Sequence, residues 1–247
     1  MNQITVTGMV TASAPIGEYD RRVVLLTKER GKISAFARGA RKPNSMLVGV
    51  TSPFTFGTFT LYEGRTSYTL MSASVSNYFE ALRTDVEGAY YGFYFLEFAN
   101  YFAREANDET SLLKLLYQTM RALVNPHLPN RLIRCVFELK AMCINGEGPQ
   151  VSACVCCGKT EGDMIFSVKR GGLVCGKCAY RAEDGRKLLP STLYAMQYIV
   201  LSPVEKLYTF TVKEEVFEEL ERIISEYLSE YVGKSFKSLE ILEAIAK

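Results

Sequence analysis

Arg21-Arg22-Val23-Val24-Leu25-Leu26-Thr27-Lys28-Glu29-Arg30-Gly31-Lys32-Ile33 is the stretch whose reading decides the fold. Arg22, Val24 and Leu26 fall on one side and Val23 and Leu25 on the other, the two-residue period of a strand with one buried face. Charges then crowd Lys28 to Lys32, where Gly31 can take the positive φ of a tight turn, and Ile33 to Arg38 returns as a second strand. Working outward, Ile4 to Ala12 is rich in β-formers, and Val50 to Tyr62 alternates through Phe54, Phe56, Thr58, Thr60 and Tyr62. Glu63-Gly64-Arg65 makes the next turn, and Thr66 to Ala73 is a fifth strand. Five short strands with tight turns suit a small closed barrel, of which the five-stranded oligonucleotide-binding (OB) type is the natural choice. A fragment of a sandwich would carry the same periodicity.

After Ser74 the period changes. Thr84-Asp85-Val86-Glu87 has the spacing of a capping box and opens a helix. Its body, Ala89 to Phe102, is apolar on nearly all faces, which predicts a place inside a helix bundle. Leu112 to Val124 is amphipathic. Leu132, Cys135, Val136, Leu139, Met142 and Cys143 form one stripe of the next helix, so Cys135 and Cys143 read as core thiols. Thr211-Val212-Lys213-Glu214 is a second capping box, before a helix that buries Val216, Leu220, Ile223, Ile224, Tyr227, Leu228 and Tyr231 and that Gly233 ends. A last helix, Phe236 to Ala246, sets Leu239, Leu242 and Ala246 on one side. The chain thus reads as α+β, with a strand-built domain at 1–80 and a helical domain at 81–247.

The 247 residues are 48% hydrophobic and 23% charged, the balance of an ordinary globular chain. A single histidine, His127, excludes chemistry that needs two, and its place in a helix-linking loop makes it a surface residue rather than a base. There is no phosphate-binding glycine loop, no Gly-x-Ser-x-Gly and no dinucleotide fingerprint. The carboxylates fall on the polar faces of helices, so no enzyme activity is expected. The start of the chain has no basic region followed by an apolar run, and Ala89 to Ala99 is far short of the ~20 residues of a membrane span. The expectation is a cytoplasmic protein without membrane contact, in which seven cysteines serve as ligands or buried thiols.

Charge is unevenly spread. Residues 1–80 hold nine basic and five acidic side chains, whereas 191–247 hold six and ten. Arg21, Arg22, Lys28, Arg30, Lys32, Arg38, Arg41 and Lys42 stand against Glu29 alone within one hairpin. Such a field attracts polyanions, nucleic acid first among them, and the bland counterpart is a solvated hairpin face. Phe54, Phe56, Phe59, Tyr62 and Tyr68 could stack bases or fill the barrel core.

Cys154-x-x-Cys157 and Cys175-x-x-Cys178 lie seventeen residues apart. Each turn aims two thiolates at one point and the two turns complete a tetrahedron, so the spacing predicts one structural zinc ion within a module at 149–187 inserted among the helices. Four thiolates leave no open position for a catalytic water. Cys156 is a surplus thiol that leaves a Cys154-x-Cys156 ligand pair open.

Three regions resemble the RecO family of bacterial recombination mediators. They are Gly17-Glu18-Tyr19-Asp20-Arg21 through Gly39-Ala40-Arg41-Lys42-Pro43-Asn44-Ser45, Cys154 to Cys178 with Gly171-Gly172-Leu173-Val174-Cys175, and Gly233-Lys234-Ser235-Phe236-Lys237-Ser238-Leu239. The resemblance implies an N-terminal OB barrel, a helical domain and an inserted zinc module. It implies a non-enzymatic protein that binds single- and double-stranded DNA, anneals complementary strands and, with the partner RecR, helps load the recombinase RecA onto DNA coated by single-strand-binding protein. Such a protein works in the cytoplasm, at the nucleoid during repair. On this reading Arg21, Arg22, Lys28, Lys32, Arg38, Arg41 and Lys42 face DNA. The acidic, Phe-ending C-terminal tail of single-strand-binding protein would dock on the helical domain, where Tyr90 to Phe102 offers rings and Arg121, Arg131 and Lys140 offer charge. The other reading is a protein-binding adaptor whose basic surface recognises an acidic peptide, with DNA contact secondary. A zinc-dependent nucleic-acid enzyme is a third, opposed by the closed ligand set.

Overall fold

Strand β1 (Asn2–Ile16) serves two neighbours in turn. In the computed structural model, which describes residues 2–245, its first half pairs with β4 (Phe56–Glu63) and its second half with β2 (Asp20–Thr27). A register shift between Val10 and Ala12 bends the strand where the partner changes, as a bulge does. β2 returns antiparallel as β3 (Gly31–Ala37), and β4 pairs with β5 (Tyr68–Asn77). A short parallel ladder, Ala35 opposite Tyr68 and Phe36 opposite Thr69, closes the ring in the order β1-β2-β3-β5-β4.

Alternation fills that ring. Val6, Val10, Val23, Leu25, Ile33, Ala35, Phe59, Leu61 and Leu70 are buried in its core. Gly31 takes φ +64°, and a Cβ there would run into the carbonyl oxygens of Arg104 and Asn107, so both conformation and space demand glycine. The expected strand from Val50 begins later. Leu47–Val50 is a helical turn, α1, whose Leu47 and Val50 enter the ring core, and Phe54 sits at φ +72° before β4 starts at Phe56.

Helix α2 (Val86–Phe102) starts at Asp85, whose carboxylate accepts the Gly88 N–H at 3.0 Å; the expected cap, Thr84, instead bonds the Ala81 carbonyl. It packs on β1, on α3 (Thr110–Leu123) and on the C-terminal helix α7 (Lys237–Ile245), so its apolar faces meet a sheet as well as helices rather than a bundle. Phe236, just before α7, stacks on Phe98 with centroids 5.1 Å apart and meets Tyr94 and Tyr101 edge-on. The Glu97 carboxylate accepts the backbone N–H of Lys237 and Ser238 and the Ser238 hydroxyl, satisfying orphan donors at the α7 N-terminus. Leu242 is buried there; Ala246 lies outside the described residues.

Packing divides the chain into two compact units. One runs to Asn125 and regains the chain from Phe236; the other is Pro126–Ser235. In the second, α4 (Asn130–Ile144), α5 (Pro190–Leu201) and α6 (Glu214–Tyr231) pack on one another. Cys135 is buried on the stripe of α4 and Cys143 is partly buried. The buried Glu138 is paired with Arg134 one turn earlier at 2.8 Å. Lys140 donates to the carbonyls of Val200 and Ser202 at the end of α5, where a cation favours the helix terminus. α6 opens on Lys213 with no side-chain cap, so Thr211 is not its cap, although Glu214 and Glu215 suit the first turn. It ends at Val232, outside the helical region, and Gly233 follows without a left-handed φ.

Phe236 tests how the first unit is completed. Phe236→Ala should lower the unfolding free energy of that unit by about 3–5 kcal/mol in a urea titration, the cost of an unfilled aromatic cavity. Tyr194→Ala, on a largely exposed ring of α5, should change it by less than about 0.5 kcal/mol.

Candidate metal centre and nucleic-acid interface

The metal module is a hairpin held between two flanking segments. β6 (Met164–Ser167) and β7 (Gly172–Cys175) pair antiparallel, Gln150 bridges to Gly172 and Arg186 to Phe166. The first cysteine loop folds back through the Gly158 N–H to Cys154 carbonyl bond at 2.8 Å and the Cys154 N–H to Lys159 carbonyl bond at 2.7 Å. Gly158 takes φ +73° to close it. The second begins at the end of β7 and continues into the 3-10 turn Gly176–Arg181, which carries Cys178. The two loops bring the sulfurs of Cys154, Cys157, Cys175 and Cys178 within 4.8 Å of one another. Cys156 is not one of this group; it packs against the small apolar core beneath.

The donor set fits a tetrahedral cation. Zinc–thiolate bonds near 2.3 Å place sulfurs about 3.8 Å apart, and the Cys157 and Cys175 sulfurs stand at 3.6 Å. Burial alone would push the Cys154 thiol up, but N–H donors from Cys175, Cys156 and Cys157 outweigh it and bring the group down to about 6. Burial, then the neighbouring sulfurs, push Cys178 up to about 12. Opposed shifts are what crowded thiols show, because they ionise together only against a cation. None of the seven cysteines is in a disulfide.

The basic hairpin is split by its own geometry. Arg21 and Arg22 lie at the start of β2, opposite Ala37 and Phe36 of β3, and Arg38, Arg41 and Lys42 follow β3 at the same end. The Arg41 guanidinium donates to the carbonyls of Gly17 and Glu18, and Lys42 sits 5.5 Å from the centre of the Tyr19 ring. None of these five cations is in an ion pair among the described residues. Glu18 and Asp20 are the acids beside them; Asp20 accepts the Gly39 N–H. Lys28 and Lys32 belong to the opposite end of the hairpin, and the Lys32 amine donates to the Asn100 carbonyl at 2.8 Å. Arg30 is paired with Glu63.

Of the five candidate stacking rings, Phe54 and Phe59 are buried, Phe56 packs on Tyr117, Tyr68 bonds Glu63, and only Tyr62 is exposed. The ring beside the basic cluster is Tyr19, 45% exposed, which strand periodicity could not single out because it lies in a turn. His127 is exposed in the turn between α3 and α4. The α2 rings of Tyr94 and Phe98 are core, covered by Phe236. Arg121 reaches Gln118, Arg131 forks onto Glu221 and lies over Phe217, and Lys140 is spent on α5. No helix of the described residues is long and apolar enough to cross a membrane.

The profile described as recombination protein O N terminal matches residues 1–79, and that described as recombination protein O C terminal matches 83–240. The chain is 32% identical over 247 residues to the DNA repair protein RecO of Acetivibrio thermocellus, covering 99% of this chain and 98% of the relative. It is 31% identical over 240 residues to that of Alkaliphilus metalliredigens, covering 96% and 98%, and 28% identical over 236 residues to that of Bacillus subtilis, covering 96% and 92%. With both profiles matched in order along nearly the whole chain, and an α+β architecture of a closed five-stranded sheet, helices and a four-cysteine cluster behind them, the chain belongs to the RecO family.

Proposed function

We propose that the protein is a non-enzymatic mediator of DNA repair and recombination, which binds single- and double-stranded DNA, anneals complementary strands and helps load a recombinase onto protein-coated single strands. Family membership supports the repair role. The observation that carries the DNA contact is the cluster of Arg21, Arg22, Arg38, Arg41 and Lys42, five cations without ion pairs at one end of an OB-type sheet. Lysine and arginine on such a surface neutralise phosphates and release counterions, which gives affinity with little sequence preference. Annealing makes and breaks no covalent bond. It requires two strands held close with their charge screened, so it calls for no catalytic group. Lys28 and Lys32 extend the DNA-facing surface toward the far end of the hairpin.

Replacing Arg38 and Lys42 with Glu should weaken binding to unrelated oligonucleotides alike, and the slope of log affinity against log salt should shrink by about two, one for each phosphate no longer neutralised. Fluorescence anisotropy across a salt series reads both. Unchanged affinity and slope would move the DNA surface elsewhere.

Cys154, Cys157, Cys175 and Cys178 would hold one structural zinc ion, which supplies folding free energy to the module rather than chemistry. Elemental analysis of the purified protein should give one zinc per chain, falling toward zero with loss of solubility in a Cys175→Ser, Cys178→Ser variant. Cys135→Ala should keep the metal. A wild-type ratio near zero would overturn the assignment.

The partners on this reading are single- and double-stranded DNA, RecR and the acidic C-terminal tail of single-strand-binding protein, in the cytoplasm at the nucleoid. A cleft of about 460 Å³ in the second unit supports tail docking: Tyr194, Tyr198, Phe210 and Val216 offer an apolar seat for a terminal ring, and Lys213 a cation for its carboxylate, with Glu215 the opposing charge. An acidic peptide ending in Phe, titrated into the whole protein, should bind about tenfold more weakly to Lys213→Glu and not at all once its last Phe is removed. Binding that survives both changes would place the tail elsewhere.

A further inference from the structure

The metal module presents a second surface that the basic hairpin does not explain. Tyr180, at the end of the 3-10 turn that carries Cys178, is 76% exposed, the most exposed aromatic side chain among the described residues. A ring so placed contributes nothing to the core. Its hydroxyl accepts a hydrogen bond from Arg181 Nε at 2.9 Å, and the Arg181 guanidinium lies 5.3 Å from the ring centre, so ring and guanidinium form one patch. The Arg170 Nε donates to the Arg181 carbonyl at 2.6 Å, and the Arg170 N–H is held by the Ser167 hydroxyl at 3.1 Å. The β6–β7 turn is thereby tied to the 3-10 turn. Lys177 precedes Tyr180 by three residues, the spacing that eclipses side chains in a 3-10 helix.

Lys169, Arg170, Lys177 and Arg181 are all exposed, and among the described residues none is in an ion pair. Of the other three cations of the module, Arg186 forks onto Glu226, Lys187 faces Asp163 and Lys159 is exposed in the first cysteine loop. The acids beside the patch are Glu183 and Asp184, and Asp184 is occupied by the Ser167 hydroxyl and the Lys169 N–H. An exposed ring flanked by a guanidinium and ringed by unpaired cations is matched by a ligand that carries both π-faces and phosphates. Single-stranded DNA offers both; a duplex keeps its base faces stacked inside.

We infer that Tyr180, Arg181, Arg170, Lys169 and Lys177 form a single-strand contact on the metal module, in which Tyr180 stacks an unpaired base and the cations hold the adjoining phosphates. The inference rests on the proposed DNA-binding function and assigns the second unit a strand contact of its own. The cysteine loops act on it by position only, because Cys175 precedes and Cys178 lies within the turn that presents the ring.

The test uses the full chain and compares a poly-dT oligonucleotide with a blunt duplex by anisotropy, with metal content measured on every sample. Tyr180→Ala should weaken the single strand about five- to tenfold, as removal of one stacked base does, change the duplex by less than about twofold and leave the metal in place. Tyr180→Phe should bind like the wild type, since stacking needs the ring and not the hydroxyl. Arg170→Glu, in the hairpin turn outside the cysteine loops, should weaken the single strand and lower its salt slope, and it carries the same decision should Tyr180→Ala release metal. Single-strand affinity unchanged in both variants overturns the inference while leaving the hairpin surface intact. Equal losses on single strand and duplex overturn the stacking role. Failure of the wild-type protein to bind either DNA would instead overturn the function on which the inference rests.

Discussion

Four sulfurs within 4.8 Å of one another are the constraint on which the second unit's surface depends. The module around them has two four-residue strands and an apolar core of which Cys154 and Cys175 are themselves part. So small a core cannot offset the entropy of ordering its loops, and a cation held by the four sulfurs would make up for the missing apolar burial. Everything presented by the Gly176–Arg181 turn, from Lys177 to the Tyr180–Arg181 patch, therefore takes its position from two cysteine loops. The first unit meets the same need differently. Its strands close on themselves through a two-pair parallel ladder, in front of a filled ring core.

What could be read from the sequence follows from how local each signal is. The cysteine cluster was legible because Cys-x-x-Cys sets its own backbone turn, and the strands because a buried face imposes a two-residue period. The start of β4 was not. Val50 and Phe54 continue the alternation, yet Val50 ends a helical turn inside the ring and Phe54 adopts φ +72° to pack its ring against Phe93. Nothing in the alternation distinguishes a plug from a strand. The two capping boxes failed for a related reason. In one, the helix starts a residue later on Asp85, which caps the Gly88 N–H while Thr84 bonds the Ala81 carbonyl, and the other helix begins after Lys213. The aromatic run of α2 could be read as buried but not by what: its cover comes from Phe236, more than a hundred residues on.

The basic run shows the limit most clearly. Eight cations in one hairpin look like one surface in sequence, but β2 is eight residues long and its ends stand roughly 20 Å apart at about 3.3 Å per residue. Five cations gather where the Gly17–Asp20 turn meets the loop after β3, and this meeting brings Tyr19 under Lys42. Strand register, not composition, decides which of the charges act together.

Net charge misleads in the same way. The acidic excess of residues 191–247 suggests a region that would repel DNA, but three of its carboxylates are taken up by groups of their own unit. Glu221 takes Arg131, Glu226 takes Arg186, and Glu219 takes the Leu189 N–H ahead of α5. These pairs remove acids and cations from the field together, and exposed pairs of this kind add little stability. The field a polyanion meets is set by the charges left over. Among them are the five cations at the hairpin end of the first unit and Lys169, Arg170, Lys177 and Arg181 of the second. Both sets sit beside an exposed tyrosine, so on the proposed reading a strand reaching either would find phosphate-binding charge next to a base-sized ring.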